Sequence, residues 1–238
     1  INRNAGIKPV KVDAELFNII KRSKAISQLT DGAFDISFAA IEKLFLFDGQ
    51  ETTWPSKSLI KSSVEKIGYQ NIILDEDAQT VFLKEKGMRI GFGAIGKGYA
   101  ADKAKALLQS KGVKAGIINA SGDMNAWGTQ PDGTAWKIAI TNPIDKSKNY
   151  GLFDLNRQAV VTSGNYEKFI LIDGERYAHI IDPRTGMPTK GILSVTVFAP
   201  KAELADALAT SLFVMGDDVG INLINQLPDI EAIIVKDD

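Results

Sequence analysis

Apolar positions recur at helical spacing in the first part of the chain and in short alternating or continuous runs later. Leu16, Ile19, Ile20, Ser23 and Ile26 share one face of a helix that Asp13 caps and Thr30-Asp31-Gly32 ends. After Ala33-Phe34-Asp35-Ile36-Ser37 the spacing of Ile41, Leu44 and Phe45 predicts a short apolar helix. Residues 48–58, around Trp54-Pro55, read as a loop. Ser56 then caps a helix built on Ile60, Val64 and Ile67 and closed by Gly68. Residues 71–74 and 80–83 predict a hairpin about an acidic turn.

Further on, Ala100, Ala104, Leu107 and Leu108 mark one face of a helix with Lys111 in its last turn and Gly112 as its stop. Strands are expected at residues 115–120, 136–141, 152–155 and 159–162. A hairpin about Asp173-Gly174 joins 169–172 to 176–181, and another strand covers 194–199. Helices at 202–215 and 219–227 and a strand at 232–235 complete the pattern. Strands come in runs rather than alternating with helices, which predicts an α+β fold.

Composition narrows the functional classes. The 238 residues are 45% hydrophobic, enough for one substantial core or two lobes sharing a seam. A net charge of −1 with no basic stripe argues against a nucleic-acid partner. No run approaches membrane-spanning length or reads as a signal peptide. The absence of cysteine removes disulfides and thiolate chemistry, and a single histidine, His179, rules out a histidine metal cluster.

The densest chemical signal is Arg89-Ile90-Gly91-Phe92-Gly93-Ala94-Ile95-Gly96-Lys97-Gly98-Tyr99-Ala100-Ala101-Asp102. Glycine-rich backbone running into a helix N-terminus offers bare amides and a positive dipole end to an anion. Gly91, Gly93 and Gly96 spell a dinucleotide fingerprint, but the preceding residues 84–88 are polar where a buried strand is needed. A nucleotide-binding P-loop needs Ser or Thr after its lysine, and Gly98 stands there. A turn that merely packs a helix close to a sheet fits equally well.

Three other stretches hold polar residues out of place. Thr162-Ser163-Gly164-Asn165-Tyr166 follows an apolar strand and either presents hydroxyls to a ligand or makes a turn. His179 alternates with apolar neighbours ahead of Asp182-Pro183-Arg184-Thr185-Gly186, as a structural group or as an acid–base catalyst. Asp206 and Thr210 lie four apart on an Ala/Leu-rich helix and so share a face. Both offer oxygen donors suited to Mg²⁺ or Ca²⁺; alternatively Thr210 bonds to its own helix and Asp206 meets a distant lysine.

Taken together, these stretches resemble one family, the ApbE-type flavin transferases (FAD:protein FMN transferases). Four blocks carry the likeness: Thr30-Asp31-Gly32-Ala33-Phe34-Asp35, then Gly93 to Asp102, then Tyr177 to Gly186, then Leu204-Ala205-Asp206-Ala207-Leu208-Ala209-Thr210. Asn119-Ala120-Ser121-Gly122-Asp123 and the block from Thr162 to Tyr166 also resemble family segments. The resemblance implies a single ApbE-type domain over 1–238, α+β, with T-fold-like architecture, mixed or antiparallel sheets and packed helices.

It also implies an enzyme that binds FAD as substrate with Mg²⁺ (Ca²⁺ accepts the same ligands) and cleaves the FAD pyrophosphate. FMN then passes through a phosphoester to a Thr or Ser hydroxyl of an acceptor flavoprotein, typically a subunit of a membrane redox complex. By position, Asp206, Thr210 and the carbonyl of Ala94 match metal ligands. Ala33, Phe34, Asp35, Gly91, Lys97, Ser163, His179 and Ile180 fall at cofactor-binding positions, and His179 matches the proposed base. Gly91 departs from the family, many of whose members carry an acidic residue there that contacts FAD. A family portion ahead of the segment matching Ile1-Asn2-Arg3, with a Met-Gly-Thr strand, an aromatic residue near the flavin and often a lipoprotein signal, is not in this sequence. Export to the cell envelope and membrane anchoring are expected from the resemblance. An FAD pyrophosphatase releasing FMN and AMP, and a non-catalytic flavin-binding protein, are the alternatives. The sequence names neither the acceptor nor the oligomeric state.

Overall fold

The computed structural model describes residues 1–41, 44–145, 147–155, 159–165 and 168–237. Its chain forms two compact units, Ile1–Gly93 with Lys168–Lys190, and Ala94–Glu167 with Gly191–Asp238.

In the first unit, β1 (Val10–Lys11) leads into α1 (Ala14–Leu29), whose N-terminus is closed by Asp13 accepting from the Leu16 amide. Of the expected inner face, Ile19, Ile20, Ser23 and Ile26 are buried, whereas Leu16 is half-buried. A 3₁₀ turn at Ile36–Ala40, capped by Asp35, stands just ahead of the predicted apolar helix; Ile41 and Leu44 lie in bends instead. Asp35 explains the shift, since its carboxylate draws the chain into a tight turn through the Ser37 amide and hydroxyl. Helix α2 (Lys57–Val64) starts at Ser56 as expected. Strands β2 (Ile72–Asp75) and β3 (Thr80–Leu83) form the predicted hairpin, and β1 pairs antiparallel with β3. Beneath a separate hairpin described below, Ile41, Phe45, Ile170, Ile172 and Ile181 form a core with Leu44, Phe47, Trp54, Ile67 and Tyr177 around it.

The second unit opens with α3 (Gly96–Ser110), then β4 (Gly116–Ala120), β5 (Asp123–Trp127), β6 (Trp136–Thr141), β7 (Asn149–Leu155) and β8 (Ala159–Gly164). The chain returns through β9 (Phe169–Ile172) and β10 (Glu175–Ala178), the hairpin of the first unit. The second unit closes with β11 (Ile192–Ala199), α4 (Ala202–Met215), α5 (Asp217–Ile224) and β12 (Glu231–Lys236). Its sheet runs β12-β11-β8-β5-β4, antiparallel throughout, and β6 and β7 form a two-stranded sheet among the described residues. Ala126, Ile138, Ile140, Leu155, Val160 and Phe198 form one core cluster. Helix α4 packs on β8, β11, α3 and α5, and is buried along nearly its whole length. The α+β class with antiparallel sheets is as expected.

Two local readings are corrected. Strand β5 was not expected: Asp123 and Asn125 interrupt its apolar alternation, yet both are buried. Helix α3 buries Gly98 and Ala101, whereas Ala100 and Leu107, expected on the inner face, are exposed. The cause is Gly98. A Cβ there would lie well inside contact distance of the Ala202 carbonyl and 2.8 Å from the Glu203 nitrogen. The bare glycine brings α3 against the start of α4, and that approach, rather than the alanine–leucine stripe, sets which face turns inward.

Candidate functional site

The N-termini of α3 and α4 both lack a capping side chain of their own, because Ile95 and Lys201 stand at the cap positions. Each helix supplies the other's cap. Asp206, one turn into α4, accepts from the Gly98 amide at 3.1 Å. Asp102, near the middle of α3, accepts from the Ala202 and Glu203 amides at 2.9 and 3.1 Å. Asp102 also accepts from the Asn125 side chain, and Asn125 in turn accepts from Lys105 at 2.6 Å. The two carboxylates satisfy helix-end amides that would otherwise have no partner.

Asp206 is 3% exposed. Burial, and then the neighbouring charge of Asp123, push its pKa up to about 7, against the opposing pull of the Gly98 amide and Lys97. Asp123 is fully buried at the start of β5. Its Oδ1 accepts from the Lys97 ammonium at 2.7 Å, and its Oδ2 has no hydrogen-bond partner among the described residues. Thr210 lies one turn beyond Asp206 on α4 and is half-buried. Among the described residues no group of three or more His, Asp or Glu side chains is arranged to hold a metal. What gathers here is a pair of buried carboxylates, a lysine and the amides of a helix N-terminus. The donor set is all oxygen, and one buried carboxylate oxygen lacks a partner, so the residues fit a hard divalent cation.

Other expected residues of this unit are placed as follows. Ala94, half-buried, opens it two residues before α3. Ser163 sits on β8 opposite Val195 of β11, beside the Thr162–Thr196 hydroxyl contact at 2.8 Å. Asn165 is tied to β11 through the Ile192 and Leu193 carbonyls, whereas Tyr166 lies outside the described residues.

In the first unit, Ala33 and Phe34 are packed inside. Asp35, also buried, accepts from Ser37 and from the Tyr69 amide at 2.7 Å, and the Ser37 hydroxyl accepts from Gly68. Burial raises the Asp35 carboxyl above its ordinary range despite these donors. Gly91 donates to the Ile36 carbonyl at 2.9 Å, and a Cβ at Gly91 would come 3.1 Å from Ala39. A side chain at this position needs Ala39 to give way.

His179 is exposed between buried Ala178 and Ile180, at the end of β10. Its Nδ1 lies 3.2 Å from the Lys168 carbonyl, and its ring meets Phe47 edge-on at 6.4 Å. A carbonyl only accepts, so Nδ1 carries the proton and Nε2 is the basic nitrogen of the neutral ring. Nearby, Asp182 receives a two-pronged ion pair from Arg184 at 2.9 and 3.0 Å, which closes the turn to Gly186. That turn packs on α2, where a Cβ at Gly186 would meet Val64 at 2.8 Å.

Sequence reasoning assigned no role to Asp102 or Asp123. The signal for Asp123 was faint: a carboxylate directly after the turn-forming pair Ser121-Gly122, between two apolar runs. Asp102 sat in the glycine-rich block without a stated purpose.

Comparison with known proteins gives the context. The profile of the ApbE family matches residues 1–234. An FAD:protein FMN transferase of Klebsiella pneumoniae is 35% identical over 99% of this chain and 73% of its own length. One from Treponema pallidum is 31% identical over 100% of this chain and 70% of its own. Among solved structures, the ApbE protein of Thermotoga maritima superposes with a TM-score of 0.89 at 34% identity, covering 99% of this chain and 77% of that one. The flavin transferase ApbE of Vibrio cholerae gives 0.86 at 26% identity, over 100% of this chain and 76% of that one. With this profile match and these relatives, the chain belongs to the ApbE family and is a transferase.

Proposed function

We propose that this protein transfers FMN from FAD to a Thr or Ser hydroxyl of an acceptor flavoprotein, with a Mg²⁺ ion bound at Asp206. The names of its relatives support flavin transfer. The observation that carries the cation is the buried Asp206–Asp123 pair beside Lys97. Asp206, Thr210 and the Ala94 carbonyl would hold the ion. When bound, it would neutralise the FAD pyrophosphate and the charge that develops on departing AMP.

The chain's own groups share the remaining work. Lys97 and the α3 amides add positive potential for phosphate oxygens. Ala33 to Asp35, Gly91, Ser163 and Ile180 are assigned to FAD by their match to the family. His179 Nε2 takes the proton of the acceptor hydroxyl, which is too weakly acidic to attack unaided. The hydroxyl oxygen then bonds to the FMN phosphorus, and the bond from that phosphorus to the oxygen shared with AMP breaks. The resemblance also supports an acceptor in a membrane redox complex and a place in the cell envelope. Among the described residues no helix is long and apolar enough to cross a membrane.

Release of AMP tests the reaction type. FAD and Mg²⁺ with the protein should yield AMP in step with added acceptor and little without it. Equal AMP and free FMN without acceptor would favour pyrophosphate hydrolysis, and intact FAD in every mixture would contradict catalysis.

A further inference from the structure

The geometry points to Asp123 as a second carboxylate of the cation site, held in the cation-free protein by the Lys97 ammonium, so that a divalent cation and Lys97 compete for it. This rests on the assignment of a cation to Asp206 above.

Asp123 follows a tight turn at Ser121 and Gly122, with φ of 56° and 98°, and its strand packs against both α3 and α4. The turn sets a fully buried carboxylate against that of Asp206. The Lys97 ammonium bonds Asp123 Oδ1, the Gly98 amide bonds Asp206, and the two carboxylates also lie against each other. Asp123 Oδ2 remains without a partner among the described residues. Two buried carboxylates facing each other need a shared proton or more positive charge than a single lysine supplies. A small divalent cation meets that need with oxygen ligands alone.

Lys97 is built to yield. Its side chain is 48% exposed while that of Asp123 is wholly enclosed. A four-carbon stem carries the ammonium to solvent, or to a substrate phosphate, without moving α3. The pair is therefore a placeholder: the lysine partly neutralises the site until a cation arrives, and is then available to an anionic ligand.

The test is Mg²⁺ binding by calorimetry on the full chain without FAD, with folding checked by circular dichroism. Asp123→Asn should weaken Mg²⁺ at least about tenfold, on the scale of lost metal-site partners. Lys97→Met, which removes the competing ammonium, should bind Mg²⁺ severalfold more tightly than the unaltered protein. Asp123→Asn binding like the unaltered chain, or Lys97→Met binding no tighter, would overturn the proposal. If Asp123→Asn does not fold, Lys97→Met alone decides it. Asp206→Asn separates the two layers. If Asp206→Asn binds Mg²⁺ undiminished, or the unaltered chain binds none, the cation assignment itself fails and this proposal with it. If Asp206→Asn loses binding that Asp123→Asn keeps, only the role of Asp123 fails.

Discussion

Asp102 and Asp206 each cap the first turn of the helix that carries the other. Asp102 reaches the Ala202 amide 100 positions away, and Asp206 reaches the Gly98 amide 108 positions away. Both contacts exist because Gly98 lets α3 meet α4 at backbone distance. The residue assigned to the cation is thus fixed by helix-end chemistry before any ligand arrives.

Gly98→Ala should destabilise the protein by about 1–3 kcal/mol, the usual cost of forcing extra volume into a packed contact. Chemical denaturation measures it. A stability unchanged within about 0.5 kcal/mol would mean that the close approach does not set the helix pair.

Asp102→Ala removes the cap of α4 and leaves Asn125 without its acceptor. A loss of about 1–2 kcal/mol is expected in the same assay. Asp102→Asn, which keeps one acceptor oxygen, should recover part of it. Equal losses in the two variants would argue against capping.

Asp206 ties stability to pH when no divalent cation is present. Below its ordinary pKa of 3.8 the folded and unfolded chains both hold the proton, and above about 7 neither does. Between these values only the folded chain holds it, so the Asp206 contribution is full at low pH and is lost as pH rises through about 7. Melting temperatures in EDTA should fall between pH 4.5 and pH 8 more for the unaltered protein than for Asp206→Asn. Parallel profiles would contradict the raised pKa.

His179→Ala should lower the transfer rate by roughly 10²–10⁴-fold, the usual contribution of a general base, and leave FAD affinity near its original value. As the chain's single histidine, His179 also gives one ¹⁵N imidazole signature. At high pH it should report a protonated Nδ1 and a bare Nε2. The opposite tautomer would remove the base from the position argued here.

Much of this was legible in the residues. The bounds of α4, β6 and β9 followed from composition and period, because Ala/Leu-rich helices and β-branched runs state their own structure. Asp206 and Thr210 stood out because a carboxylate on an apolar helix demands a partner. What stayed hidden was long-range. Nothing local shows that Asp102 serves a helix 100 positions on. Strand β5 hid behind Asp123 and Asn125, polar residues buried only because helix and lysine partners come to them. The inner face of α3 differs from the expected one because a glycine, carrying no hydrophobicity at all, lies against the start of α4.

The most direct test of the account is the mass of an acceptor domain bearing the target Thr or Ser, after incubation with this protein, FAD and Mg²⁺. The account predicts an acceptor heavier by one FMN, with no gain in EDTA or with Asp206→Asn. An acceptor of unchanged mass while FAD is consumed, or equal labelling in EDTA, would contradict it.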